Sequence, residues 1–208
     1  MGDIFDFWFE YKSVIPKGFV RLLGKLAEIT DNGIPVHVFT GNHDIWAFNY
    51  LHKEVGIILH RKPEILDFTG KKFYLAHGDG LGPGDKGYKL LKKVFSNPFN
   101  QLLFRWLHPD IGAGLALYFS RKSRIANMVK EGRHEYMNTI EHEMLYHYSK
   151  SILEKDAGID FFVFGHRHLP VVLMLNKRTK LVILGDWLTN FTYAEFDGRD
   201  LELKYFNL

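Results

Sequence analysis

Residues 159–168 read IDFFVFGHRH: six residues with only one polar side chain, then a glycine, then two histidines flanking an arginine. Ile159 to Phe164 is too short for a buried helix. It is rich in aromatic and β-branched residues and is bounded by glycine, so it reads as a strand buried on both faces. Gly165-His166-Arg167-His168 is then a loop at the carboxyl end of that strand. In α/β sheets, ligands bind at such ends. Taken alone, the loop also reads as a basic surface turn.

Working outward, three more polar clusters have the same character: Gly2-Asp3-Ile4-Phe5-Asp6, Gly41-Asn42-His43-Asp44 and His77-Gly78-Asp79-Gly80. The second follows the strand-like IPVHVFT (34–40). The third closes EILDFTGKKFYLAHGDG (64–80), a predicted hairpin turning at Thr69-Gly70. VGIILH (55–60) is a further predicted strand, and Phe19 to Ile29 has helical spacing stopped by Asp31-Asn32-Gly33. Two hairpins are predicted beyond His168, in VVLMLNKRTKLVIL (171–184) and TYAEFDGRDLELKYF (192–206). Each cluster by itself also fits an ordinary turn. Together they supply carboxylate, amide and imidazole donors suited to divalent ions such as Mn²⁺, Fe²⁺, Zn²⁺ or Ni²⁺.

Composition narrows the chemistry. The chain has 208 residues, 46% of them hydrophobic, enough for one sizeable core. With no cysteine among them, disulfides, thiolate metal sites and cysteine nucleophiles are excluded, and no G-x-S-x-G elbow supports a serine hydrolase. No signal peptide and no membrane-crossing run of about 18 apolar residues is expected. The net charge of +3 is uneven: residues 84–134 hold ten Lys/Arg against three Asp/Glu. A basic segment on a mildly acidic remainder points to a local anionic partner, with no nucleic acid implied.

That basic segment lies in a helical stretch, 84–156, which is expected to be an insertion within a single domain spanning 1–208. Its apolar residues, Leu102 to Phe119, sit among Lys86, Lys89, Lys92, Lys93, Arg105, Arg121, Lys122 and Arg124. The pattern fits a helical cap with a solvated charged face, and equally a lid with an apolar interior. The HEMLYH stretch (142–147) is not read as a zinc helix. Its histidines are five apart, about 140° around a helix, and do not share a face.

The order GD-x-x-D, GNHD, HG, GH-x-H resembles the calcineurin-like metallophosphoesterases. GDIFDFWFEY, AHGDGLGPGDKGYK, FGHRHLP and LGDW resemble, within that superfamily, the bacterial UDP-2,3-diacylglucosamine diphosphatases of lipid A synthesis. The resemblance implies an α/β fold, a four-layer α/β/β/α sandwich of two mixed sheets with a helical insertion. It implies two divalent ions, manganese by preference. Asp3 would bridge them, Asn42, His77 and His166 would complete one, and His168 would bind the other. His43 would stabilise charge at the phosphoryl group, oriented by Asp6, with Lys86, Lys89, Arg121 and Arg124 on the substrate. The implied substrate is a nucleotide-linked lipid, and the implied location is the cytoplasmic face of the bacterial inner membrane, against anionic lipid. The resemblance leaves the oligomeric state open.

Two departures accompany it. The 208 residues start at the second motif, without the Asp-x-His strand that carries further ligands to the second ion. A start placed too late or a truncated product is expected, with a remnant binding one ion or none as the alternative. The best-known lipid A enzymes carry Arg where His43 stands, which leaves the phosphoesterase reading intact and bears on the substrate. The alternatives are a metallophosphoesterase for another nucleotide or phosphodiester, or an inactive product.

Overall fold

The computed structural model describes the backbone of residues 1–84, 86–134 and 144–207, and the side chains of these except 123–134. The chain folds as two compact units, one of Met1, 62–84 and 139–208, the other of 2–61 and 85–138.

The first unit is built on a five-stranded sheet: β3 (Glu64–Phe68), β4 (Lys71–Ala76), β5 (Phe161–Phe164), β7 (Lys180–Leu184) and β6 (Pro170–Met174), in that spatial order. The two outer pairs are antiparallel and the two inner pairs parallel, so the sheet is mixed. β5 is central, and all four of its residues are buried. A parallel strand covered on both faces reads as a continuous apolar run, which is why FFVF needs no polar alternation. Phe162 and Phe164 join Tyr74, Leu181 and Ile183 on one face, covered by Leu145 and its neighbours on α6 (Met144–Leu153). Phe161 and Val163 join Phe73 and Val182 on the other, against the β8–β9 hairpin (Thr192–Phe196, Leu201–Tyr205). The β3–β4 turn is tight because Thr69 and Gly70 both have positive φ, 54° and 82°, the condition for a two-residue type I′ turn.

Asp160, at the foot of β5, is 2% exposed. Its carboxylate accepts from Arg178 Nε at 3.0 Å and Lys72 N at 3.0 Å, with Lys71 Nζ at 3.4 Å. Burial pushes this carboxyl up, but the Arg178 and Lys72 donors outweigh that and hold it below the usual range. Asp160→Ala is expected to remove about 2 kcal/mol, since the Lys72 N–H and the Arg178 guanidinium lose a charged acceptor. Calorimetry should show Tm lower by roughly 5–10 °C, and an unchanged Tm would refute the assignment.

The second unit holds α1 (Val20–Asp31), a parallel pair β1 (His37–Phe39) and β2 (Ile58–His60), and α2 (Tyr50–Val55) between them. Its core is Phe5, Trp8, Val38, Leu51, Val55 and Ile57, against Leu23 and Leu26 of α1. The predicted strand at 55–60 is shorter than expected: Val55 ends α2, and Gly56 caps that helix at φ 72°. Glu10, 7% exposed, accepts the N–H groups of Asn49 and Tyr50 and so starts α2 from a distance in sequence. The same unit carries α3 (Lys86–Ser96), α4 (Pro98–Arg105) and α5 (Pro109–His134), as the helical reading of the insertion expects. α6, also from that stretch, packs instead within the first unit. His142 and Glu143 of the HEMLYH stretch lie outside the described residues.

The chain is thus a mixed α/β protein. One expected mixed sheet is the five-stranded one, and the remaining strands form the pairs β1–β2 and β8–β9. None of the helices among the described residues is long and apolar enough to cross a membrane.

Candidate metal centre

In the second unit, the Asp3 and Asn42-His43 loops are tied to each other by two carboxylates. Asp3 Oδ1 accepts the His43 backbone N–H at 2.9 Å. Asp44, 1% exposed, accepts Ile4 N at 2.9 Å and Gly41 N at 2.5 Å. The bonds run in both directions, so neither loop can shift without breaking one. Gly41 is required by this closeness: a Cβ there would stand 2.8 Å from the Asp3 backbone nitrogen and closer still to its carboxylate. His43 is half-buried, and its Nδ1 lies 3.0 Å from the backbone carbonyl of Asp6, whose side chain is exposed. His43 is thus held by the Asp6 main chain.

In the first unit, β4, β5 and β7 are parallel neighbours in register, with Ala76 beside Phe164 and Phe164 beside Ile183. Their carboxyl ends deliver His77, Gly165-His166 and Gly185-Asp186 to one sheet edge. His77 is 4% exposed, and its Nδ1 is 2.7 Å from the Met1 carbonyl. A carbonyl only accepts, so Nδ1 carries hydrogen. The rings of His77 and His166 lie 5.1 Å apart at 68°. Gly165 lets the chain pass Met1, since a Cβ would sit 2.9 Å from the Met1 carbonyl oxygen. His168 is exposed, and its Nδ1 is 3.3 Å from Asp186 Oδ2.

Both His77 and His168 thus have one ring nitrogen against an oxygen acceptor, the arrangement by which metal-ligating histidines are oriented. Asp3 (φ 53°) and His166 (φ 62°) are two of the four non-glycine residues with positive φ among those described. Backbone strain of this kind concentrates at functional sites. These donors, imidazole and carboxylate with no sulfur, fit a divalent ion of the hard-to-borderline class.

Asp186, of the LGDW stretch, both turns the chain and supports His168. Burial pushes its carboxyl up, but the N–H groups of Thr189, Asn190 and Leu188 and the Thr189 hydroxyl outweigh that and bring it down to about 2. The signal was available: Gly-Asp directly after the apolar LVIL repeats the pattern of the other loops. A carboxyl with a folded pKa below its unfolded one stabilises fully above the unfolded value and loses this as pH falls through the folded one. Asp186→Asn is expected to cost about 2 kcal/mol at pH 7, and urea titrations should show the gap from the parent closing between about pH 4 and pH 2. A gap equal at both pH values would refute it.

Of the basic residues assigned to substrate, Lys86 is exposed and Lys89 half-buried on α3, and Arg121 is exposed on α5. Arg124 falls on α5 with its side chain outside those described. The insertion's apolar residues divide. Phe104 and Leu117 pack on the aromatic cluster of Phe7, Phe9 and Trp46, while Trp106 (83%), Phe99 (65%) and Ile111 (63%) are exposed.

Residues 1–170, which contain all four loops, match the family model described as calcineurin-like phosphoesterase. The chain belongs to the calcineurin-like phosphoesterase family. It is accordingly a metal-dependent hydrolase, and the family implies divalent ions. Among its relatives, a Porphyromonas gingivalis protein named UDP-2,3-diacylglucosamine hydrolase is 41% identical over 98% of this chain and 81% of its own length. Proteins of the same name from Tolumonas auensis and Pseudomonas fluorescens are each 26% identical, over 98% and 100% of this chain and 80% and 81% of theirs.

Proposed function

We propose that this phosphoesterase hydrolyses the pyrophosphate bond of UDP-2,3-diacylglucosamine to UMP and 2,3-diacylglucosamine 1-phosphate, a step of lipid A synthesis. The observation that carries this reading is the 41% identity, over 98% of the chain, to a relative of that name. In this reading Asp3, Asn42, His77, His166 and His168 hold divalent metal, manganese by preference. The bound metal supplies positive charge to the phosphoryl oxygens and makes water a competent nucleophile at neutral pH. Met1 and Asp186 keep Nδ1 of His77 and of His168 engaged, leaving Nε2 of each as the donor atom. His43 holds its Nδ1 proton against the Asp6 carbonyl, which leaves Nε2 as the ring atom to meet the phosphoryl group or the leaving group, donating there when it too carries hydrogen.

In the same proposal the 84–156 insertion acts as a lid through α3, α4 and α5. Lys86, Lys89, Arg121 and Arg124 meet the nucleotide phosphates and anionic headgroups, and the exposed Phe99, Trp106 and Ile111 meet acyl chains. An exposed apolar surface beside basic residues suits peripheral binding to an anionic membrane, here the inner membrane's cytoplasmic face. The test is turnover by protein isolated from its own host, with Mn²⁺ and with chelator. UMP release from UDP-2,3-diacylglucosamine that chelator abolishes is the expected result. Turnover of a soluble phosphodiester with none of the lipid nucleotide would replace this substrate by a lipid-free one. Flotation with anionic vesicles tests the membrane part, which fails if no salt-sensitive binding occurs.

A further inference from the structure

The insertion reaches His43 directly. On α5, Ala113, Ala116 and Leu117 face the cluster of Phe7, Phe9 and Trp46. Counting from Ala113, these are steps of three and four, and Ser120 is the next at seven, on the same helix face. A stripe that is otherwise apolar therefore ends in a hydroxyl. Ser120 Oγ lies 3.1 Å from His43 Nδ1, the atom that also stands 3.0 Å from the Asp6 carbonyl.

The carbonyl decides the proton. It can only accept, so Nδ1 bears hydrogen and Ser120 Oγ is a second acceptor for that same N–H. Two acceptors from different segments, one on the Asp3–Asp6 loop and one on α5, fix both the ring plane and the tautomer. α5 is itself held close: Gly112 is buried, and a Cβ there would press on the Tyr11 hydroxyl and stand 3.1 Å from the Phe104 ring.

We propose that Ser120 is a positioning residue for His43, so that α5 takes part in the reaction by setting the His43 ring. The inference rests on the reading of His43 as the group that faces the phosphoryl oxygens. It extends the lid's role from covering substrate to orienting a reacting side chain.

The experiment is a double-mutant cycle with turnover of the lipid nucleotide and ¹⁵N NMR of the His43 ring. Ser120→Ala keeps the packing volume close and removes the acceptor. It is expected to lower kcat about 5–10-fold, the effect of about 1 kcal/mol of lost hydrogen bonding, with KM within about twofold. Ser120→Thr, which keeps the hydroxyl, restores most of the rate. In a His43→Ala background the further Ser120→Ala change has no effect, and the ring ¹⁵N shifts of Ser120→Ala move from a pure Nδ1–H tautomer toward a mixture. Losses that multiply in the double variant, or a Ser120→Ala enzyme equal to the parent in rate and ring shifts, would overturn the inference while His43 keeps its role. A His43→Ala enzyme as fast as the parent would overturn both.

Discussion

His166→Gly is expected to abolish phosphoester hydrolysis while leaving the metal-free protein as stable as the parent. The two effects separate because His166 sits at φ 62°. A side chain in that region costs about 1–2 kcal/mol, which glycine avoids, and glycine gives back about 0.5–1 kcal/mol through the entropy of the unfolded chain. Calorimetry in chelator should therefore place Tm within about 2–4 °C of the parent, the shift that about 1 kcal/mol makes in a chain of this size. Loss of the proposed ligand should exceed the roughly 10–100-fold fall produced by removing a mere outer partner of a metal-bound histidine. Thr69→Gly is the control, since Thr69 shares the conformation, at φ 54°, but only turns a hairpin. That variant should keep full activity. If His166→Gly lowers Tm well beyond this range, the strain at 166 serves packing, and its link to the metal site fails.

Gly41→Ala should damage both activity and stability. The added methyl meets the Asp3 main chain at 2.8 Å as well as its carboxylate, so rotating a side chain cannot relieve it. The Asp3 loop is held by Asp44 through Ile4 N and cannot retreat freely. Overpacking of this kind costs about 1–3 kcal/mol, which calorimetry should read as a Tm lower by roughly 2–10 °C. Displacing a reacting group by about 1 Å can cost ~10²-fold in rate, and kcat/KM for the lipid nucleotide should fall by about that much. Gly24→Ala, in the middle of α1 with nothing within 4 Å of its Cβ, should instead raise stability by about 0.5–1 kcal/mol and leave turnover alone. A Gly41→Ala enzyme with parental kcat/KM would mean that Asp3 tolerates displacement and does not hold the metal.

How much of this could be read from the chain alone depended on how local the cause was. FFVF announces a doubly covered strand through its own composition, and Thr69-Gly70 announces a turn through the two residues that make it. The hairpins at 171–184 and 192–206 were legible for the same reason, and their strands pair as expected. α2 was not legible, because its first N–H groups are satisfied by Glu10, some 40 residues away. Without that partner, YLHKEV is a short polar stretch before a strand. The partner of Asp186 and the role of Ser120 were hidden likewise. Each depends on a histidine brought beside it by the fold, His168 for one and His43 for the other.

By itself, the sequence determined which atoms are available. It supplies imidazole, carboxylate and amide donors at four glycine-bearing loops and no thiol, and a basic, aromatic insertion between two of the loops. Donor chemistry is a property of side chains, so it survives without coordinates. The tertiary structure alone decided how each donor is held. It placed the Met1 carbonyl on His77, Asp186 on His168, Asp44 across the Asp3 and Gly41 loops, and Ser120 on His43. A hydrogen bond acts only within about 3 Å, and residues as far apart in sequence as Met1 and His77 or His43 and Ser120 meet at that range only where sheet register and helix packing bring them together.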